Sequence, residues 1–441
     1  MAGKPGYDGA QDWRAPVRAR EEEGAAGAAN PFGRGDPAPF FFLSACRFQI
    51  GHNGALKIRI TRQDPMTYAA ITGWGKCMPP SVLTNADLAT FLDTDDEWIV
   101  SRTGMKERRI SHVSAIEMAT VAAKRALACA GLDAADLDLI VYGSCSNDEQ
   151  VPNSASGVQI GLAAHHAGAM DVNTACTSFL YGLSTASAMI RSGAVRNAVV
   201  IGVELISPYM DWSNRGVAVL FGDGCAAVVL QASEREEGVL AEKLGCIAEA
   251  RQTLRVRGMG CAYANRNITL GDTLWDFDGQ EIFKRAVGGM SQASEAVLAK
   301  RGVRPEDIDL VVPHQANLRI IESVVKRAGL PMDKVMLTVQ RYGNMSAATV
   351  PVALVEALEE GRVKPGALML MPAFGAGLTF CAHLVRWGER VTPIGHSDAE
   401  LPPSPRSALE IVNGVRAIRA AQGGRSDAGL ISVEYAEARQ R

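Results

Sequence analysis

The sequence predicts an α/β protein whose sheets are covered by helices on both faces. Three observations carry this. Short runs such as Leu139–Gly143, Ala198–Val203 and Cys225–Leu230 are apolar at nearly every position, as strands buried on both faces are. Segments with helical apolar spacing alternate with them. The chain also echoes itself. ACAGLDAADLDLIV, from Ala128, returns as AKRGVRPEDIDLVV, from Ala299, and RSGAVR, from Arg191, returns as EGRVK, from Glu360. Each echo precedes an apolar run, and the two keep their order, so two similar halves are expected at 66–235 and 236–388.

Residues 1–65 carry Gly, Pro and charge without apolar rhythm and are expected to be a disordered extension. Met66 stands directly before the first strand, Tyr68–Trp74, and is expected to lie closer to the natural start than Met1. Thr84 or Asn85 then caps a helix running to Leu92. A second helix spans Ser114–Ala130 and stops at Gly131. The segment Phe179–Ile190 reads as a buried helix closing at Gly193. After Trp387 the rhythm breaks, and 389–441 is expected to be an appendage with one modest helix, Ser407–Ala421, and a mobile outer part.

Net charge is only −3 over 441 residues, which gives no footprint for nucleic acid or an anionic membrane. Nine cysteines are scattered without a CxxC pair, so a zinc ribbon, a redox dithiol and a complete disulfide framework are all disfavoured. No apolar run reaches the length of a membrane span, and Phe40–Leu43 is too short and too late for a signal sequence. A reducing, cytoplasmic setting is expected.

The stretch DVNTACTSFLYGL, from Asp171, places Cys176 at the first turn of a helix, where unpaired N–H groups favour a thiolate nucleophile. Two partners stand downstream. LVVPHQANLRI delivers His314 just past a buried strand, and RYGNMSAA puts Asn344 in a turn that opens another helix. Papain-like proteases share the order Cys, His, Asn, but they set the cysteine near the mature N-terminus in a CGSCW-like context that is absent here.

Six motifs, TDDEWIVSRTGMKER, DVNTACTSF, Arg215-Gly with FGDG, VPHQANLRI, RYGNMSAATVPVAL and AFGAGLTF, appear in one order between Met66 and Trp387. Together they resemble β-ketoacyl-acyl-carrier-protein synthase III. The resemblance implies the thiolase-like fold, two duplicated halves in a five-layer αβαβα arrangement, and a homodimer.

It also implies a reaction, a decarboxylative Claisen condensation of an acyl-coenzyme A primer with malonyl-acyl carrier protein that initiates fatty-acid synthesis. Cys176 would carry the acyl group, and His314 and Asn344 would donate to the malonyl thioester oxygen. Backbone N–H groups of Cys176 and Ala376 would hold the oxyanion. Trp98 would stack on adenine, with Arg102 and Arg215 near the nucleotide and Phe283 and Asn317 along the pantetheine arm. Lys284, Arg319, Lys326 and Arg327 would dock the acidic carrier protein. No metal or redox cofactor is implied. Asn344 disfavours a degradative thiolase, which has a second catalytic cysteine, and the intact set of three disfavours a non-catalytic subunit. Val151 departs from the large aromatic of acetyl-specific relatives at an acyl pocket shared across the dimer. Acetyl-coenzyme A is the expected primer. The alternative is a medium-chain primer, or a specialised quinolone- or polyketide-type product.

Overall fold

The computed structural model describes residues 67–260 and 273–421, together with the backbone of 47–50 and 56–59. The chain divides into two units, 1–63 and 64–441. In the first, β1 (Arg47–Ile50) and β2 (Leu56–Arg59) pair antiparallel, with Arg47 opposite Arg59. The rest of 1–65, expected to be a disordered extension, lies outside the described residues. Two four-residue strands are too short to stand out from a background of Gly, Pro and charge. Met66 and the outer end of the appendage, 422–441, lie outside the described residues.

In the second unit the first half begins with β3 (Tyr68–Cys77). A ribbon of β4 (Ser81–Thr84) and β5 (Glu107–Ile110) follows, enclosing α1 (Asn85–Ala89) and α2 (Asp96–Thr103). Thr84 caps α1 in a capping box with Asp87, and Ser114 does the same with Glu117 for α3 (Ala115–Ala130), which ends on left-handed Gly131. Then come β6 (Leu139–Gly143), α4 (Ser154–Leu162), β7 (Gly168–Val172), α5 (Ser178–Arg191), β8 (Asn197–Glu204), α6 (Arg215–Ala218) and β9 (Gly224–Ser233).

The second half repeats the plan. After β10 (Gly238–Cys246) and a ribbon of β11 (Leu254–Arg257) and β12 (Leu274–Phe277) it runs α7 (Gly279–Arg301), β13 (Leu310–Val311), α8 (Leu318–Arg327), α9 (Val339–Tyr342), α10 (Thr349–Glu359), β14 (Leu368–Gly375) and β15 (Thr379–Arg386). Both echoes occupy matched places. The first joins α3 to β6 and α7 to β13, and the second precedes β8 and β14.

The strands form the order β13-β14-β15-β10-β3-β9-β8-β6-β7. It is two sheets in one line, for β10 meets β3 at a single pair, Gly238 opposite Ala69. Gly238 has φ +80, and a Cβ there would fall 1.7 Å from the Ala69 carbonyl oxygen, so only glycine fits the seam. Helices α5 and α10 fill the space between the sheets, with Phe179, Leu183, Val352 and Leu354 in one core alongside Val200, Met369 and Val385. Helices α3 and α4 cover the outer face of one sheet, and α7 and α8 that of the other. This gives the five-layer, thiolase-like αβαβα arrangement of duplicated halves. It explains the uninterrupted apolar strands, since Val199, Ile201 and Val203 face one layer and Ala198 and Val200 the next.

The described part of the appendage is packed against the fold. Residues 391–400 run along α3, where Ile394 N–H donates to Cys129 O and Arg125 donates to Ala399 O, and Pro402 and Arg406 then meet His112 and Ser81. Helix α11 (Ala408–Ala421) then buries Ala408, Ile411 and Val412 in the core that holds Leu83, Leu88 and Ile110. Its Arg416 lies 4.2 Å over the Phe91 ring, and Arg419 donates to Tyr209 O.

Candidate active site

Cys176 sits in a 3-10 turn, Ala175–Thr177, between β7 and α5, and that turn is clamped from both halves. The Ser178 hydroxyl accepts from Thr174 N–H, and the Thr379 hydroxyl, at the start of β15, donates to Thr174 O at 3.0 Å. Gly375, at the end of β14, closes on the same turn. A Cβ there would lie 2.9 Å from Cys176 N. The Cys176 turn of one half is therefore seated against the sheet end of the other.

His314 follows β13 and extends its register, with His314 N–H donating to Pro372 O at 2.9 Å. Its loop is pinned by Gln315, whose amide donates to Pro313 O and Met336 O and accepts from Thr338 N–H and Val339 N–H. The His314 ring is 2 % exposed, and its Nδ1 lies 2.6 Å from the Thr349 hydroxyl. Burial pushes the imidazole down to about 3, so it is neutral at physiological pH.

Asn344 is held by its own backbone, which donates to Leu220 O and accepts from Gly222 N–H. Gly343 before it has φ +60 and abuts Leu220 O, a place for glycine alone. The Asn344 Oδ1 accepts from Ser346 N–H at 2.8 Å, which commits the carbonyl end and leaves the NH2 end to the cavity.

Cys176, His314 and Asn344 line one cavity of about 230 Å³. Trp98, Arg102, Arg215, Phe283 and Asn317 line it too. The Arg102 and Arg215 guanidiniums lie 4.5 and 5.0 Å over the Trp98 ring. Asn317 caps α8 and donates to Arg102 O. An adjoining recess of about 860 Å³ shares Arg102 and Phe277 with the cavity and adds Arg319. Lys284, Lys326 and Arg327 are exposed on α7 and α8. Val151 is 83 % exposed and lines neither space.

The expectation of a thiolate at Cys176 is corrected. Burial pushes the thiol up to about 12, outweighing the Ser346 hydroxyl and the N–H groups of Cys176 and Ala376, which favour the anion. The charge of Glu204 adds to the rise. Burial desolvates the anion more than two N–H groups and a hydroxyl restore it. The Ala376 N–H faces the sulfur. The FGDG turn is structural, since buried Asp223 accepts from Ser111, Ile206 and Ser207 N–H.

Sequence reasoning missed Ser346, Thr349, Glu204 and Cys145. The Glu204 carboxyl, fully buried at the end of β8, accepts from Ser144 and Ser146 hydroxyls, Cys145 N–H and Ala347 N–H. Burial holds it above the usual carboxylate range.

The family profile of 3-oxoacyl-acyl-carrier-protein synthase III matches residues 170–247, and that of its C-terminal region matches 298–387. A β-ketoacyl-acyl-carrier-protein synthase III 2 from Vibrio cholerae is 52% identical over 346 residues, covering 78% of this chain and 96% of the relative. The crystal structure of 3-oxoacyl-acyl-carrier-protein synthase III from Aquifex aeolicus superposes with a TM-score of 0.68 at 42% identity, covering 72% of this chain and all of that one. The priming β-ketosynthase of the R1128 polyketide biosynthetic pathway gives 0.70 at 31% identity, covering 75% of this chain and 99% of that one. With both family profiles matched and relatives aligned along nearly their whole length, the chain belongs to the β-ketoacyl-acyl-carrier-protein synthase III family of condensing acyltransferases.

Proposed function

We propose that this chain primes fatty-acid synthesis by condensing acetyl-coenzyme A with malonyl-acyl carrier protein, through the halves 66–235 and 236–388. The observation that carries the reading is the shared cavity of Cys176, neutral His314 and the NH2 end of Asn344. The Cys176 sulfur attacks the acyl carbonyl, and coenzyme A leaves with the thiol proton. The tetrahedral oxygen rests on Cys176 and Ala376 N–H. Malonyl-acyl carrier protein then loses carbon dioxide. Negative charge moves to its thioester oxygen, where His314 Nε2–H and Asn344 Nδ2–H stabilise it. The carbanion attacks the acyl-cysteine carbonyl and releases 3-oxoacyl-acyl carrier protein, and the sulfur regains a proton.

Coenzyme A enters past Trp98, Arg102 and Arg215, with its pantetheine arm between Phe283 and Asn317. The carrier protein docks on the exposed basic side chains Lys284, Arg319, Lys326 and Arg327 of α7 and α8. The open edge of β7, with Val151 83 % and Ile160 77 % exposed nearby, supports a homodimer. The seven cysteines among the described residues are all free, which supports a reducing cytoplasm. The steps as written call for no metal or redox cofactor.

One observation favours a second reading. Val151 is a small side chain where acetyl-specific relatives carry an aromatic, which leaves room for a medium-chain primer or a specialised product. Incubation with acetyl-, butyryl- and octanoyl-coenzyme A, followed by peptide mass spectrometry, separates the two by preferred chain length. No acyl group on Cys176 from any donor would falsify the mechanism. His314→Ala and Asn344→Ala should still accept the acyl group yet fail to decarboxylate malonyl-acyl carrier protein. Full decarboxylation by either variant removes that residue's role.

A further inference from the structure

We propose that Ser346 is the positioning residue of this site: it ties Cys176, His314 and Asn344 into one arrangement and couples the Cys176 sulfur to the buried Glu204 carboxyl. The inference rests on the reading of Cys176 as the nucleophile.

Each part of Ser346 touches a different member of the site. Its N–H donates to Asn344 Oδ1 at 2.8 Å and so decides which end of that amide faces the cavity. The Thr349 hydroxyl lies 2.9 Å from the Ser346 carbonyl oxygen and 2.6 Å from His314 Nδ1. The Ser346 hydroxyl lies 3.7 Å from Cys145 Sγ, whose N–H reaches the Glu204 carboxyl, and it favours the anionic form of both Cys176 and Glu204. Ser346 is 2 % exposed, so none of these contacts competes with water. Its φ of +43 is a conformation that L-residues avoid, and the fold holds it there against local preference. The next residue is fixed by Ala347 N–H donating to Glu204 Oε1 at 3.2 Å.

The duplication explains how such a residue arises. Ala175, with φ +52, opens the 3-10 turn that carries Cys176, two residues after Asn173. Ser346 opens the matching turn before α10, two residues after Asn344. One copy of the turn supplies the nucleophile, and the other supplies the hydroxyl that faces it.

The groups around the sulfur fall into two sets. The Ser346 hydroxyl and the N–H groups of Cys176 and Ala376 favour the thiolate, whereas Glu204 on β8 opposes it by its charge. The Cys145 thiol, in the loop after β6, also lies near the sulfur, and the neutral His314 ring, after β13, lines the same cavity. Ser346 and Glu204 therefore pull the thiol in opposite directions.

The test measures two things in wild type, Ser346→Ala and Glu204→Gln. One is the pH profile of iodoacetamide alkylation at Cys176, resolved from the other cysteines by peptide mass spectrometry. The other is the rate of acyl loading from acetyl-coenzyme A. Ser346→Ala keeps the backbone N–H and carbonyl and removes only the hydroxyl. Its profile should move up by about one pH unit and its loading slow about tenfold, the equivalent of one hydrogen bond to an anion. Glu204→Gln should move the profile down. A loosened site would move both profiles the same way, so same-direction shifts overturn the proposal. An unchanged Ser346→Ala profile also overturns it, and that variant decides alone if Glu204→Gln does not fold. Wild type that takes up no acyl group at Cys176 sinks the functional reading instead, while its alkylation profile still judges the coupling.

Discussion

His314 Nδ1 lies 2.6 Å from the Thr349 hydroxyl, so one rotatable hydrogen decides the tautomer of a buried imidazole. Turned to Ser346 O, the hydroxyl accepts from Nδ1–H and leaves Nε2 bare. Turned to Nδ1, it leaves the proton on Nε2, the form that can donate to a developing enolate. Thr349→Val keeps the shape and removes this control. Malonyl decarboxylation should fall about tenfold, the cost of one lost hydrogen bond, while acyl loading of Cys176 stays at the wild-type rate. Equal loss of both half-reactions would show that Thr349 only supports the fold.

Acid should destabilise the protein through two histidines. Burial pushes His314 down to about 3 and His383, whose Nε2 meets the Ser184 hydroxyl at 2.7 Å, down to about 4. Both take up a proton near pH 6.5 once unfolded. Stability is therefore complete above 6.5 and declines as pH falls from there toward the folded values. The loss is on the order of 1 kcal/mol per histidine for each pH unit. Urea denaturation at pH 7.5, 6.5 and 5.5 reads it, and His383→Gln should flatten the dependence by about half. Parallel curves for variant and wild type would refute the assignment.

Gly375→Ala should slow turnover about a hundredfold in a folded protein. A Cβ at 2.9 Å from Cys176 N must push the nucleophile turn aside. Misplacement by about 1 Å costs on the order of a hundredfold. Unaltered circular dichroism with wild-type activity would show that the turn yields freely.

The Trp98 ring, flanked by two guanidiniums, should matter only to substrates that carry a nucleotide. Trp98→Ala is expected to raise the KM for acetyl-coenzyme A roughly five- to thirtyfold, from about 1–2 kcal/mol of ring contacts. An N-acetylcysteamine thioester, which lacks the nucleotide, should react as before. A matching rise for the short thioester would place Trp98 in general support of the cavity.

Helix α11 contributes to the main core, so Val412→Ala should cost about 2 kcal/mol. The urea midpoint should fall with an unchanged slope. An unaltered midpoint would mean that the helix is dispensable.

Much of this was legible because it rests on strong local signals. The alternation of α3, β6, α5, β8 and β9 follows from apolar periodicity and from caps at Thr84, Ser114 and Gly131. Cys176, His314 and Asn344 each begin or follow an element in a distinctive motif. Ser346, Thr349 and Cys145 gave no signal, because a small polar side chain reads alike whether it caps a turn or faces a nucleophile. Glu204 ends a strand and looks like the usual polar residue at a sheet edge. Its burial depends on Ser144, Ser146 and Ala347, which only the folded chain gathers around it. Helix α11 was found, but its docking was not, since Ala408, Ile411 and Val412 make a stripe too short to announce a partner.

The seam at Gly238 and Ala69 has a consequence for the order of events during synthesis. Everything up to β9 can emerge and collapse while β13–β15 are still unmade, leaving Cys176 beside no histidine, no Asn344 and no Ser346. The thiol becomes part of a working site only when β15 has paired with β10 and β14 and brought Thr379 and Gly375 against it. A chain stopped short of that strand would carry the nucleophile and no chemistry.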